Sequence, residues 1–441
     1  MKRFNKNIIS TFFFQLSLIL IGILVSILLA RVLGPTGRGI FALILIVPET
    51  VIKIGSFGIE SATVFLIAEK KYPTRLVVSN SCMLTLFACL IIIIFFIFLF
   101  NLEIFHKFIA NNQIAWSHFL IVASAIPFCI FFRNFVSIFQ GLQKITLYNM
   151  CIISQNLIYL VLLLIFFIFL QSKVTCAVFA YLISWILIFI VALYISNKII
   201  DFSFKYNSKI SKTAIKFGVK THIANLAQFL NYRLDVFIIA MYLPPESVGY
   251  YAVATMISER LWTIPNSIGI VLFPKVSSTS NENANLITAQ VARNTLFLVT
   301  CLVIIIAIAS YPIIYYLFGE EFIPAVKPML FLLPGITTLS VSKIFAAYLS
   351  GRGSPQYAIY GSTSSLISNV FLNLILIPRF GIGGAAIASS ISYTIASTIL
   401  FLAFINVSRI PWKDTLFLKS SDFLNYKKFI FSNRLWHFRT L

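Results

Sequence analysis

Long apolar runs recur along this chain of 441 residues, and they constrain its fold more than any other feature. A bilayer core about 30 Å thick needs about 20 apolar residues per helix. The chain has 59% hydrophobic residues, 11% charged residues and a mean hydropathy of +0.95. This composition and the apolar runs predict an all-α polytopic membrane protein with about 12 transmembrane helices. The predicted spans lie near residues 8–33, 39–68, 76–100, 115–140, 146–170, 174–196, 212–243, 249–275, 287–318, 327–350, 354–378 and 383–408.

The first apolar run follows Lys2, Arg3 and Lys6, an order that is also typical of a secretory signal peptide. The run is longer than the apolar region of such a peptide, and many spans follow it. We therefore expect an uncleaved first helix. The six cysteines fall within predicted spans and form no CxxC pair, so their spacing predicts neither disulfides nor a metal site.

The net charge of +21 is distributed unevenly between the two sides of the predicted membrane. Basic residues concentrate on alternate loops, for example in the segments 70–75 and 198–216, and in the segment after residue 408. This is the positive-inside pattern, and it predicts that both termini are cytoplasmic. The positive charge therefore favours contact with anionic membrane lipids, and we expect no nucleic-acid partner.

An internal repeat relates the two halves of the chain. The segment Leu29–Ala42 aligns with Ile239–Ala252 at an offset of 210 residues, and Ala, Leu, Pro, Gly and an aromatic residue coincide. The same offset pairs Glu49 with Glu259 and Arg133 with Lys343. Each half has an even number of spans, so we predict two six-helix lobes of parallel topology, with a substrate site between them.

The longest connection between spans divides the chain at its middle. We predict an N-lobe at 1–196 with spans 1–6, a cytoplasmic linker at 197–211 and a C-lobe at 212–408 with spans 7–12. Residues 409–441 mix aromatic and basic side chains, which is typical of a basic amphipathic cytoplasmic tail lying at the membrane surface.

Charged residues inside the spans are the strongest indication of a functional site, because each costs about 2.5–3.5 kcal/mol at the bilayer centre on insertion scales. The segment 231–235 places Arg233 and Asp235 inside one apolar helix. The full set has seven basic residues and four acidic residues: Lys53, Arg133, Lys220, Arg233, Arg260, Arg293 and Lys343, against Glu49, Glu60, Asp235 and Glu259.

The basic residues predict a binding site for an anion. Lys53, Arg233 and Arg260 lie near the midplane of their spans and could share one site. Arg133 and Lys343 are candidates because they occupy matched repeat positions. Arginine binds phosphate oxygens through two parallel hydrogen bonds, so this set suits a diphosphate. For Lys220 and Arg293, which lie nearer to helix ends, we expect side chains that extend to the lipid headgroups.

The acidic residues have more than one interpretation. Glu49, Glu60, Asp235 and Glu259 could carry a coupling ion or tune the neighbouring cations. Glu49 and Lys53 are four residues apart, so they could also form a structural ion pair, and Asp235 could be a structural partner instead. His222 is a candidate for proton relay. The chain has no Walker-type glycine loop, HExxH or GxSxG motif, so we predict no catalytic residues, no metal and no cofactor.

Several segments resemble a known family. They are Leu28–Pro35 (LLARVLGP) with Gly37-Arg38-Gly39, Tyr232–Asp235 (YRLD), Val248–Tyr251 (VGYY) and Leu272–Pro274 (LFP). The pattern resembles the bacterial polysaccharide-biosynthesis flippases of the O-antigen (Wzx-like) type, in the multidrug/oligosaccharidyl-lipid/polysaccharide exporter superfamily. The resemblance extends over essentially the whole chain.

The resemblance implies two six-helix bundles that form a V around a cationic cavity. It implies transport of undecaprenyl-diphosphate-linked oligosaccharide, an O-antigen or capsule unit, across the bacterial inner membrane by alternating access coupled to H+ or Na+. A polysaccharide polymerase and a chain-length regulator are the implied protein partners. Lipid II flippases have several arginines in the first span, and this chain has none deep in that span, which argues against a peptidoglycan substrate.

Three alternatives follow from the same sequence. A multidrug or cation exporter of the same superfamily predicts a net acidic cavity, whereas the spans here have a cationic excess. A polytopic polysaccharide polymerase or ligase resembles proteins with a large periplasmic loop, and every predicted outer loop here is short. A membrane scaffold without transport does not account for prolines in the repeat-matched spans.

Overall fold

The computed structural model describes residues 2–169, 173–200, 205–419 and 422. For residues 2–13, 220, 221 and 224 it describes the backbone alone. The N-terminal half holds α1 Lys2–Gly55, α2 Ile59–Glu69, α3 Thr74–Phe100, α4 Glu103–Asn111, α5 Trp116–Ser124, α6 Ile126–Gly141, α7 Ile145–Phe169 and α8 Lys173–Ile199.

The C-terminal half begins with α9 Ser208–Tyr242 and α10 Pro245–Glu259. A 3-10 turn at Arg260–Trp262 separates α10 from α11 Thr263–Ser277. The remaining helices are α12 Asn281–Ile308, α13 Ser310–Ile313, a π-helical turn at Ile314–Phe318, a 3-10 helix at Glu320–Ala325, α14 Val326–Gly351, α15 Gln356–Ser408 and α16 Trp412–Leu416.

Two very long helices each extend over more than one predicted span: α1 contains the first span and the first part of the second, and α15 contains the last two. Helix α1 bends at Gly34, which has a φ of 67° and precedes Pro35. Helix α15 bends at Gly381, with a φ of 59°, three residues after Pro378. A left-handed residue beside a proline interrupts the helical hydrogen bonds, so the chain turns at these points and enters the next span.

The all-α polytopic fold is confirmed, because each predicted span coincides with one helix or with a broken helix. Within the described residues, eight helices are long and apolar enough to cross a membrane, and α1 and α15 are among them. The two other predicted spans correspond to α9, which is polar, and to α10 and α11, which are 15 residues each. These two spans carry much of the predicted site.

The chain divides into two compact units. The first unit comprises Met1–Val253 and Ile314–Pro324, and one of its hydrophobic cores packs Phe132, Phe135 and Ile138 of α6 against α2, α3 and α8. The second unit comprises Ala254–Ile313 and Ala325–Leu441, and Phe345, Tyr348 and Phe404 lie in its core. The boundaries of the predicted lobes stay a prediction. Linker residues 201–204 and tail residues 420–421 and 423–441 lie outside the described part of the chain.

The repeat-related corners of the first unit pack backbone against backbone. A Cβ atom on Gly39 would lie 1.7 Å from the carbonyl oxygen of Pro245. A Cβ atom on Gly249 would lie 2.1 Å from the carbonyl oxygen of Pro35. Pro35 and Pro245, like Gly39 and Gly249, are 210 residues apart, so one contact is made twice with the roles exchanged. Small residues allow such close approach of helices in membranes.

Candidate functional site

The break between α1 and α2 positions the first charged residues. Glu49 and Lys53 lie one turn apart near the end of α1. The chain then turns through Gly58, which has a φ of 70° and packs against Gly218 of α9, where an added Cβ would be 2.3 Å from the carbonyl oxygen. Glu60 follows in the first turn of α2. A glycine is required at position 58 by both its backbone conformation and the nearby helix.

Two arginines complete this group. Arg133 lies on α6 and Arg233 on α9, and Glu49 interacts electrostatically with both of them. Lys53 interacts with Glu60 and Arg133. We call Glu49, Lys53, Glu60, Arg133 and Arg233 the first-unit cluster. It has three cations and two carboxylates, so its formal charge is positive in an environment where few water molecules screen it.

Asp235 belongs to a different environment from Arg233, although the two are separated by one residue. Its side chain is 1% exposed. The Tyr251 hydroxyl donates a hydrogen bond of 2.5 Å to one carboxylate oxygen, and the backbone N–H of Val236 donates one of 2.8 Å to the other. These contacts fix the carboxylate against α10 and favour the structural interpretation of Asp235.

The second unit contains its own charged group. Pro265 lacks a backbone N–H, and the helix changes to a 3-10 turn at Arg260–Trp262, immediately after Glu259. The Lys343 ammonium donates a hydrogen bond of 2.8 Å to the side-chain oxygen of Asn266 and lies 5.1 Å from the centre of the Trp262 ring. Glu259 interacts electrostatically with Arg260 and Lys343. We call Glu259, Arg260 and Lys343 the second-unit cluster.

The two clusters share one motif. Glu49 interacts with Arg133 in the first unit, and Glu259 interacts with Lys343 in the second. Both partners of each pair are related by the offset of 210 residues. The repeat therefore relates an acid–base electrostatic interaction between the second and fourth spans of one half to one in the other half.

The predicted site residues thus separate into two groups. Lys53, Arg133 and Arg233 come together with Glu49 and Glu60, whereas Arg260 and Lys343 come together with Glu259. Binding of one anion by all five basic residues stays a prediction.

The sequence did not identify the partners of two predicted residues. Tyr251 holds Asp235, and Asn266 with Trp262 holds Lys343. The polar Asn266 beside Pro265, inside an apolar span, was an available signal. The ring nitrogen Nε2 of His222 lies 3.2 Å from the carbonyl oxygen of Ile54, which accepts a hydrogen bond when Nε2 is protonated.

The expectation for Arg293 was wrong. Its side chain is 7% exposed and does not extend to the headgroups. It donates hydrogen bonds of 2.5 Å and 2.7 Å to the two carboxylate oxygens of Asp422, and one of 3.0 Å to the carbonyl of Asp414. Its partner is a carboxylate 129 residues further along the chain. The side chains of Lys220 and Thr221 lie outside the described part of the structure.

Comparison with known proteins identifies the family of the chain. A family model described as "Polysaccharide biosynthesis protein" matches residues 4–280. A putative O-antigen transporter of Shigella flexneri is 23% identical over 382 residues, which cover 84% of this chain and 90% of that protein. A probable low-salt glycan biosynthesis flippase of Haloferax volcanii is 27% identical over 195 residues, which cover 43% of this chain and 41% of that relative.

The fold is similar to that of a solved lipid II flippase in an inward closed conformation. The TM-score is 0.78 at 18% sequence identity, and the match covers 98% of this chain and 93% of that one. Since the family model matches more than half of the sequence, the chain belongs to the polysaccharide biosynthesis protein family.

Proposed function

We propose that this protein is a flippase that moves undecaprenyl-diphosphate-linked oligosaccharide, an O-antigen or capsule unit, from the cytoplasmic to the periplasmic leaflet of a bacterial inner membrane. It would work as a transporter by alternating access, without enzymatic chemistry, and with both termini in the cytoplasm. The observation that carries the proposal is the first-unit cluster, in which Arg133 and Arg233 interact electrostatically with Glu49, and Lys53 interacts with Glu60.

A diphosphate suits this cluster for an electrostatic reason. Three cations held inside the bilayer are costly unless anions compensate them, and Glu49 and Glu60 supply two negative charges. The remaining positive charge favours a substrate that carries a negatively charged group. Arg233 can offer the diphosphate two parallel hydrogen bonds, whereas Lys53 offers a compact charge. Arg260 and Lys343 are the corresponding candidates in the second unit.

The carboxylates have distinct proposed roles. Glu49, Glu60 and Glu259 lie next to basic residues, so protonation of any of them would raise the local positive charge and strengthen anion binding. This links substrate binding to H+, and Na+ could replace the proton at the same oxygens. Asp235, held by Tyr251, would tune the position of α9 and therefore of Arg233.

The proposal also includes partners. The lipid-linked oligosaccharide is the substrate, and anionic lipids would contact the basic cytoplasmic segments. A polysaccharide polymerase and a chain-length regulator would act on the delivered unit. The six-helix lobes at 1–196 and 212–408 would be the moving bodies.

The proposal can be tested in proteoliposomes with a fluorescent undecaprenyl-diphosphate oligosaccharide. A membrane-impermeant oxidant of the sugar would report transfer between leaflets. Loss of a hydrogen bond to a charged group costs about 1.5–3 kcal/mol, so we expect Arg233→Ala to slow transfer about 10- to 100-fold. Arg233→Lys should retain part of the activity, and Lys71→Ala, on an exposed loop, should match the wild type. Unchanged transfer in both Arg233→Ala and Arg260→Ala would refute the site.

The multidrug-exporter alternative predicts a different result in the same vesicles. A cationic drug would be repelled by the net positive first-unit cluster. We therefore expect no efflux of cationic dyes by the purified protein. Dye efflux without oligosaccharide transfer would favour the exporter instead.

A further inference from the structure

An apolar cavity of about 490 Å³ lies in the first unit, between α1, α3, α4 and α9. Aromatic rings from three of these helices line it, among them Phe95, Phe105 and Phe237. The first-unit cluster is built from other residues, so the cavity is a separate feature of the same unit.

The cavity and the first-unit cluster nevertheless share two helices. On α1, Val47, Val51 and Ile54 line the cavity at helical spacing, while Glu49 and Lys53 lie on another face of the same turns. On α9, Phe237 and Met241 line the cavity.

Arg233 lies four residues before Phe237 and thus on nearly the same face of α9. The turn of α9 that carries Arg233 therefore lies about 6 Å along the helix axis from Phe237, which lines the cavity. A ligand with a charged end and an apolar chain could contact both.

One wall of the cavity belongs to an apolar span. Phe95, 40% exposed, lies on α3, which has the composition of a membrane span with a hydropathy of 3.2. Water has too few polar partners on such a wall to fill the space stably. Hydrocarbon is therefore the favoured occupant.

The polar groups at the other end of the cavity already have partners. The Lys107 ammonium pairs with Glu103 at 2.7 Å on the surface. The side-chain amide of Asn112 donates hydrogen bonds to the carbonyls of Phe108 at 2.9 Å and Ala240 at 3.2 Å, and so fastens α4 to α9. The Lys107–Glu103 pair has no net formal charge, whereas the first-unit cluster is net positive, so we infer that the cluster is the anchor for an anionic head group.

We propose that this cavity binds the isoprenoid chain of the lipid carrier while the diphosphate of the same molecule lies at the first-unit cluster. The inference rests on the proposed function and adds a second contact point for the substrate. Chain binding would orient the carrier, so that its sugar and diphosphate enter the protein while the distal part of the chain stays in the bilayer.

Site-specific photocrosslinking tests this inference with a matched pair of positions. Phe95→p-benzoylphenylalanine places a photoprobe, a phenylalanine ring extended by a benzoyl group, in the cavity wall. Ile94→p-benzoylphenylalanine places the same probe on the adjacent residue, which is 66% exposed and outside the cavity. Each full-length variant is reconstituted in phosphatidylethanolamine and phosphatidylglycerol containing a small fraction of undecaprenyl diphosphate, and the adducts are identified by mass spectrometry.

We expect the fraction of adducts at position 95 that contain undecaprenyl diphosphate to exceed the mole fraction of this lipid in the membrane about tenfold. This enrichment corresponds to a binding preference of about 1.4 kcal/mol. Adducts at position 94 should follow the bulk composition. Arg233→Ala in the Phe95 probe variant should remove most of the enrichment. Phospholipid adducts alone at position 95, or equal adduct ratios at both positions, would overturn the inference.

The assay separates this inference from the proposed function. Transfer of labelled oligosaccharide by the wild type, together with no enrichment at position 95, refutes the chain site alone. Absence of transfer by the wild type refutes the proposed function, whatever the adducts show.

Discussion

Gly39 and Gly249 occupy equivalent positions of the internal repeat, and each faces the backbone of the segment that carries the other. A Cβ atom added to Gly39 would lie 1.7 Å from the carbonyl oxygen of Pro245, and one added to Gly249 would lie 2.1 Å from that of Pro35. Real Cβ atoms cannot approach a carbonyl oxygen this closely. The two corners of the first unit therefore depend on glycine at both positions.

Substitution of either glycine should destabilise the first unit. Gly39→Ala and Gly249→Ala force the segments apart, and overpacking of this kind typically costs about 1–3 kcal/mol. Thermal unfolding of the purified protein in detergent measures the effect. Gly269→Ala is the control, because its Cβ would lie 3.7 Å from its nearest neighbours. Equal unfolding temperatures for all three variants would contradict the contact.

The repeat-related acid–base pairs should be energetically coupled. In a double-mutant cycle, Glu49→Gln and Arg133→Gln should show a coupling free energy of about 0.5–3 kcal/mol in thermal unfolding. A second cycle with Glu259→Gln and Lys343→Gln should give a value of the same sign. Glu49→Gln combined with Lys419→Ala should be additive, because these residues belong to different units. Additivity in the first two cycles would show that the pairs do not interact.

The hydroxyl of Tyr251 should stabilise the buried carboxylate of Asp235. Tyr251→Phe removes one hydrogen bond to a charged group, and we expect a loss of about 1.5–3 kcal/mol in stability. Tyr250→Phe, on the neighbouring residue of the same helix, is the matched control and should change stability little. If Asp235→Asn abolished the dependence of transport on an ion gradient without lowering stability, the structural interpretation of Asp235 would be wrong.

The buried pair between Arg293 and Asp422 should anchor the C-terminal segment. Removal of one partner from a buried ion pair costs about 3–5 kcal/mol, so Arg293→Ala should expose residues 412–419 to proteolysis. Lys419 and Asp414 form a half-exposed pair at 3.0 Å in the same segment. Lys419→Ala should cost about 1 kcal/mol or less and leave the segment protected. Equal proteolysis of both variants would contradict the anchoring role.

The same contact predicts a pH dependence with a definite sign. The hydrogen bonds from Arg293 hold the pKa of the Asp422 carboxyl below its ordinary value. A lowered pKa contributes stability that is fully present above the ordinary value of about 3.9 and is lost as the pH falls through the folded-state pKa. Limited proteolysis of the segment should therefore be constant from neutral pH down to about pH 4 and increase below it. Asp422→Asn should remove this increase.

Much of the fold follows from short stretches of sequence. Apolar runs of about 20 residues specify the spans, and Gly34 with Pro35 specifies the bend in α1. The offset of 210 residues relates Glu49 to Glu259 and Arg133 to Lys343, and the two residues of each half interact electrostatically. These features could be predicted because each depends on residues within a few turns or on a comparison of the chain with itself.

The partners of the charged residues could not be predicted in this way. The spacing of four residues on one helix suggested that Glu49 pairs with Lys53. In the structure, Glu49 interacts with Arg233 and Arg133. Lys53 interacts with Glu60 instead. Proximity to a helix end suggested lipid headgroups for Arg293, yet it binds Asp422, 129 residues away.

The sequence by itself determined that the chain crosses the membrane repeatedly, that its halves repeat, and which charged residues are costly inside the bilayer. Only the tertiary structure decided which of these charges meet and where an apolar cavity lies beside them. The reason is physical: helix formation depends on local hydrogen bonds and hydrophobic patterns, whereas charge pairing depends on how distant helices pack and on which faces they present.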